Sequence, residues 1–282
     1  MIDLKVLTRS ANALEALPAS VTRLAAIAAK DSWNVREVEE IVSLDQALSF
    51  RLLRMANSAA SASLMPVVTI RDAVVRLGIG SLLSLATATS VQRKLFGAIP
   101  EYGLSEGELW RHSVASALAA EAAAGFCDVE LPPETYATAL LHDIGKLVLA
   151  RELGPDVLRV LAAAREQGHL SSLRAESEIL TVHHGELGGL IAQHWNLPDR
   201  LVVGIIHHHT PDDARDIIAD VVHVANVASK HVGAGHWVDE EERTVNPASF
   251  GRLKMSPNGF EGLCKQVGKR LEQVLAQYGA GN

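Results

Sequence analysis

The sequence predicts an all-α fold, and three observations carry that expectation. Alanine and leucine dominate, while aromatic residues make up only 4%. Apolar residues recur at the three- and four-residue spacing of one helix face. Alternating β-branched runs, which would mark strands, are scarce. With 282 residues and 48% apolar content, the chain can bury a substantial core as one large or two modest domains. The net charge of -7 carries no long basic run, which argues against nucleic-acid backbone binding as the main task. Cys127 and Cys264 lie far apart and form no zinc-type pair, as suits a reducing compartment. The N-terminus lacks a basic region followed by an apolar core, and no stretch approaches about 18 uninterrupted apolar residues. The expectation is a cytoplasmic protein with no membrane segment.

In order along the chain, Leu14, Leu17, Val21, Leu24 and Ile27 fall at helical spacing, with Pro18 placed for a first turn. Asn34 can cap a second helix carrying Val35, Val38, Ile41 and Val42. A third runs from Asp45 to Asn57 through Leu48, Leu52, Leu53 and Met55, interrupted by Arg51 and Arg54. Ser58, Ala59, Ser61, Ser63 and Pro66 then end it. Thr69 precedes a short helix, Asp72 to Gly78, closed by its glycine, and an Ala/Leu/Ser segment follows from Ile79 to Phe96. Helices this short are stable only when packed together. Arg54 and Asn57 admit two readings, a binding surface or a solvated guanidinium beside a capping amide. Gly, Pro and charged residues cluster between Gly97 and Glu108, marking a boundary short enough that the halves should touch.

The chemistry concentrates in the second half. Leu140-Leu141-His142-Asp143-Ile144-Gly145-Lys146-Leu147 sets an adjacent His and Asp in oily sequence. Buried polar groups need partners, and a metal ion is one of few that satisfies both. Pro133-Glu134 begins the helix that carries the pair, and Gly145 is the natural end of its regular geometry, which leaves Lys146 at the mouth of any pocket. Upstream, Glu108 opens a helix bearing His112 among Ser113, Ser116, Ala119 and Ala120, small enough for helices to approach closely. Gly154-Pro155 starts another helix, and Gly168-His169 interrupts it. His183-His184 follows, with Gly188 on the same face as His184, so that ring can cross a bare backbone.

Leu201 to His209 forms the next helical stretch. Three successive histidines on a helix point about 100° apart, so His207, His208 and His209 cannot all be equivalent ligands. Asp220, His223 and Asn226 are spaced by three on a further helix. His169, His194, His231 and His236 fit no recurrent arrangement and are read as structural or exposed. The pattern points to metal binding or to a hydrogen-bonded relic of a metal site. A cysteine-free nitrogen and oxygen donor set suits iron, manganese, magnesium or zinc.

The order His112, His142-Asp143, His184, His208-His209 resembles the HD superfamily of metal-dependent phosphohydrolases. The chain resembles, more specifically, an HDOD-domain protein, a bacterial signalling relative of that superfamily. Leu14-Glu15-Ala16-Leu17-Pro18, Arg51-Leu52-Leu53-Arg54-Met55-Ala56-Asn57-Ser58 and Arg71-Asp72-Ala73-Val74-Val75-Arg76-Leu77-Gly78 carry the amino-terminal likeness. His184-Gly185-Glu186-Leu187-Gly188, Trp195-Asn196-Leu197-Pro198 and His208-His209-Thr210-Pro211 carry the rest. The resemblance covers roughly residues 10 to 230 and implies an HD-like helical bundle packed against an N-terminal helical bundle. The divisions are 1–97, 98–230 with the metal site, and a partly helical extension 231–282.

It also implies His112, His142, Asp143, His184 and His208 as metal ligands, with His209 the alternative to His208. His184 fits better than His183, and Asp143 would bridge two metals if two are present. The HD pattern closes with an aspartate, but this chain has Asn226 in that register. An amide is a weaker, neutral ligand and cannot act as a base, which counts against hydrolysis more than against metal binding. The expected function is a regulatory signal-transduction module that works by binding a signalling protein or a small anionic ligand. The alternative is hydrolysis of a nucleotide or cyclic dinucleotide phosphoester, with Asp143 and Lys146 as the catalytic residues.

Overall fold

In the computed structural model, residues 4–57, 66–166, 170–235 and 243–279 are described. Expectations for Ser58, Ala59, Ser61, Ser63, Gly168, His169 and His236 lie outside them. Among the described residues the chain is all helical, apart from one isolated bridge between Ile99 and Leu104.

After α1 (Leu4–Asn12), the amino-terminal bundle holds α2 (Ala19–Ala28), α3 (Val35–Ser43), α4 (Gln46–Ala56) and α5 (Ile70–Phe96). Side-chain caps set the starts. Asn34 accepts from the Arg36 amide at 2.8 Å. Asp45 accepts from the Leu48 amide at 3.0 Å and from Ser20 Oγ at 2.8 Å, tying the start of α2 to α4. Thr69 caps α5 through the Asp72 amide. At φ 75° and ψ 163°, Gly78 breaks α5 into the two expected pieces, a conformation open only to glycine. Asn57 is a clamp, since its carboxamide takes the Val67 amide and donates to the Leu53 and Val67 carbonyls. Its backbone role replaces the binding-surface reading, and Arg54 is exposed.

Alone among the described helices, α5 has the length and apolarity to cross a membrane. Here it is a spine, packed on α2, α3 and α4 and also on the two helices that open the second half, α6 (Glu108–Ala122) and α7 (Thr135–Leu141).

Beyond α7 come α8 (Lys146–Glu152), α9 (Pro155–Glu166), α10 (Ser172–Leu180), α11 (His184–His194), α12 (Asp199–Ile206), α13 (Pro211–Ala214), α14 (Ile217–His231), α15 (Pro247–Leu253) and α16 (Pro257–Gly279). α6 lies at the centre, packed on α7, α14 and α16, and its run of Ala and Ser is buried almost throughout. α1 also docks here, against α8 and α11, with Ser10 Oγ donating to Glu152 Oε1 at 2.6 Å.

Three local expectations need correction. Leu14 and Leu17 precede α2 and sit in the turn after α1, held there by Pro18 at the helix entrance. His142 and Asp143 occupy a tight turn between α7 and α8 rather than a helix. His207 to His209 likewise follow the end of α12 at Ile206. Off the helix, the 100° separation of successive side chains no longer applies.

Candidate metal centre

The α7–α8 turn lies directly on α11. A Cβ at Gly145 would fall 1.9 Å from the His184 carbonyl oxygen and 2.7 Å from the Gly188 amide, so only glycine permits the approach. The contact brings Asp143 against His184, and α6 and the turn after α12 complete the cluster. Two donor groups result, His112 with His142 and Asp143, and His184 with His208 and His209.

Asp143 joins them. Its Oδ2 lies 3.3 Å from His112 Nε2 and 3.5 Å from His142 Nε2. Its Oδ1 lies 3.3 Å from His184 Nε2 and 3.9 Å from His208 Nε2. His209 Nε2 comes within 3.1 Å of His184 Nε2. Of the residues singled out from the sequence, His112, His142, Asp143, His184, His208 and His209 are therefore all brought together. Neighbouring His208 and His209, the first choice and the alternative from sequence, both come close to His184. His183 instead sits at the N-cap of α11, its amide bonded to Glu186. His194 and His231 are exposed.

The rings are aimed by their other nitrogens. His112 Nδ1 lies 2.7 Å from the Ala234 carbonyl, His142 Nδ1 2.6 Å from the Ala139 carbonyl, and His208 Nδ1 2.7 Å from the Ile205 carbonyl. His184 Nδ1 lies 2.7 Å from Glu176 Oε2. Each such acceptor keeps the proton on Nδ1 and leaves Nε2 as a lone pair directed inward, the usual arrangement for a metal-binding imidazole. His112 and His142 bring their Nε2 atoms to 3.1 Å, and His184 and His208 theirs to 3.3 Å. A cation between or beside them would satisfy ring nitrogens brought so close.

The charges agree. Burial pushes His142 down to about 3 and holds His208 and His209 well below the ordinary histidine value, so these imidazoles are neutral and ready to ligate. Burial disfavours ionised Asp143, but the Lys146 ammonium holds its carboxyl well below the usual range. Lys146 Nζ donates to Oδ2 at 2.6 Å. Oδ1 is buried and has no hydrogen-bond partner. That orphaned oxygen, faced by inward lone pairs, is the observation a divalent cation fits.

Asn226 is buried on α14, and its carboxamide oxygen also has no hydrogen-bond partner. It lines a cleft of about 360 Å³ together with His209, His223, Lys230 and Arg174. Asp220, the more distant carboxylate, is turned away and held by Ser249 and Arg252.

Sequence reasoning missed the residues that orient the ligands. Glu176 belongs to no motif and reaches His184 from α10 across the short turn that leads into α11. Ser229 Oγ lies 3.0 Å from His112 Nδ1. His223 Nδ1 donates to the His208 carbonyl at 2.9 Å and its Nε2 accepts the Asn246 amide at 3.0 Å. The three-residue spacing of Asp220, His223 and Asn226 was the one available signal. Backbone carbonyls such as Ala234 leave none.

Comparison with known proteins decides the family. The HDOD domain profile matches residues 14–211. The chain belongs to the HDOD domain family. A curated relative, an uncharacterized protein of Treponema pallidum, is 26% identical over 212 residues, 73% of this chain and 40% of the relative. The chain thus spans well under half the length of that protein. Among solved structures, the HDOD chain is similar to an HDOD domain protein of unknown function from Geobacter sulfurreducens, with TM-score 0.72, 23% identity and 97% of each chain covered. A candidate phosphohydrolase from Shewanella amazonensis matches with TM-score 0.65, 27% identity and 94% of each chain covered. A candidate signal transduction protein from Marinobacter aquaeolei matches with TM-score 0.72 at 21% identity, covering 95% of this chain and 60% of that one. The HDOD fold is therefore shared along nearly the whole chain.

Proposed function

We propose that this protein is a regulatory signal-transduction module whose HD-type pocket binds divalent metal and responds to a small anionic ligand or a signalling protein. One observation carries the reading. The two oxygens of Asp143 face separate imidazole groups whose other nitrogens are already pinned. His112, His142 and Asp143 would hold one ion, and His184, His208, His209 and Asp143 another. A bound ion supplies Lewis acidity and charge for gripping an anion. The adjacent cleft is large enough for a small ligand. Asn226 Oδ1 in its wall would accept from a ligand hydroxyl or amine.

The second reading is phosphoester hydrolysis on a nucleotide or cyclic dinucleotide. Asp143 and Lys146 would then be the catalytic residues, the lysine steadying the phosphoryl group. The neutral amide of Asn226 counts against it, since the chain offers no carboxylate base there. Metal analysis of protein purified without a histidine tag, with a phosphodiester panel on wild type and Asp143→Asn, separates the readings. Metal lost on Asp143→Asn with no turnover by wild type fits the module. Turnover that Asp143→Asn abolishes fits the hydrolase. Wild-type protein that binds no added manganese, iron, zinc or magnesium overturns both.

A further inference from the structure

We infer that Tyr102 is a positioning residue for this centre, joining the segment between α5 and α6 to both sides of Asp143. The inference rests on the metal-binding reading and extends it to a residue no motif includes.

The contacts form a closed circuit. Tyr102 Oη donates to Glu176 Oε1 at 2.7 Å. Glu176 Oε2 accepts from the His184 amide and from His184 Nδ1, each at 2.7 Å. His184 Nε2 faces Asp143 Oδ1 at 3.3 Å, and Asp143 Oδ2 accepts from Lys146 Nζ at 2.6 Å. Lys146 Nζ then lies 5.6 Å from the centre of the Tyr102 ring, within cation–π reach. One side chain therefore acts on the centre through two chemically different ends. Its hydroxyl occupies one oxygen of Glu176, which fixes the carboxylate plane and turns the other oxygen to His184. Its ring face steadies the ammonium that balances Asp143.

Tyr102 itself is fixed. It is 7% exposed and ends a 3-10 turn, Pro100–Tyr102. The turn is closed by paired backbone bonds between Ile99 and Leu104 at 2.8 and 3.0 Å, with Gly103 at φ 67°. Glu176 is buried, with one carboxylate oxygen on the Tyr102 hydroxyl and the other on His184. Removing the hydroxyl strands Glu176 Oε1 and frees the carboxylate to rotate away from His184.

Tyr102→Phe deletes the glutamate arm and keeps the ring, whereas Tyr102→Leu deletes both. Titration of the full-length protein with cobalt(II), read by calorimetry and visible absorption, tests the assignment. We expect Tyr102→Phe to weaken the tighter cobalt site roughly 10-fold with the far-ultraviolet dichroism unchanged, and Tyr102→Leu to weaken uptake further. Glu176→Gln should weaken the same site, and combining it with Tyr102→Phe should add little, a coupling that mere packing would not produce. Absence of cobalt uptake by wild type overturns the metal reading itself. Cobalt affinity in Tyr102→Phe equal to wild type, or full additivity with Glu176→Gln, overturns the role of Tyr102 and leaves the metal reading standing.

Discussion

Around Asp143 Oδ2 the chain supplies its own cation, and around Oδ1 it does not. Lys146 sits 2.6 Å from Oδ2, which also lies near His112 and His142, while Oδ1 lies near His184 and His208 and has no hydrogen-bond partner. The two halves of one carboxylate therefore have different needs. On the Oδ1 side an ion would meet an unmet acceptor and the neutral rings of His208 and His209. On the Oδ2 side it must first displace an ammonium. The difference teaches that the centre should fill in order, Oδ1 side first, with Lys146 setting the gap between the two affinities.

The largest way to break that comparison is acid. Burial lowers His142 to about 3 and lowers His208 and His209 in the same direction. In the unfolded chain these rings take up protons near pH 6.5, whereas in the native state they stay neutral to much lower pH. The unfolded state then binds more protons, so stability is full above pH 6.5 and is lost as pH falls from there towards 3, by up to about 1.4 kcal/mol per pH unit for each such ring. Denaturant melts of metal-free protein across this range should show the decline, and bound ion should oppose it. A flat profile would mean that the rings are not neutral in the fold.

Next in size is Gly145→Ala. Its Cβ meets backbone rather than a flexible side chain, so α8 and α11 must part. We expect a loss of more than about 3 kcal/mol in urea melts, with both sides of Asp143 losing ion affinity. Lys146→Gln equalises the two sides instead. The metal-free protein should lose about 2 kcal/mol as Asp143 is left buried without its partner. In calorimetry the weaker ion should bind roughly 10-fold tighter, a change of about 1.4 kcal/mol, and an unchanged gap would remove Lys146 from the account. The smallest effect is expected of Asn226→Asp, a several-fold gain in ion affinity confined to the Oδ1 side, where His209 shares its cleft. Unchanged affinity there would place Asn226 outside the donor set.

The helical class was legible because alanine, leucine and apolar spacing act locally, as were the cap at Asn34 and the break at Gly78. The donors were legible because imidazoles and a carboxylate in apolar sequence are conspicuous. Their pairing was not. His208 and His209 converge only because the chain leaves α12 at Ile206, a tertiary choice that no local period encodes. Glu176 and Tyr102 were invisible for a related reason, since each matters through a neighbour brought to it by folding. Asn57, open to two readings from sequence, proves to be a backbone clamp because Val67 returns to within hydrogen-bond reach of it.

The family match ends at residue 211, yet what aims the ligands continues past it. Ala234 and Ser229 hold His112, and Asn246 grips His223, which in turn grips the His208 carbonyl. Arg252 then staples α15 to Asp220 on α14. A fragment cut at the family boundary would keep every histidine and carboxylate donor named from the sequence, but lose Asn226 and the scaffolding that points several of them. For anyone transplanting this domain into a chimaera, the portable unit runs at least through α15.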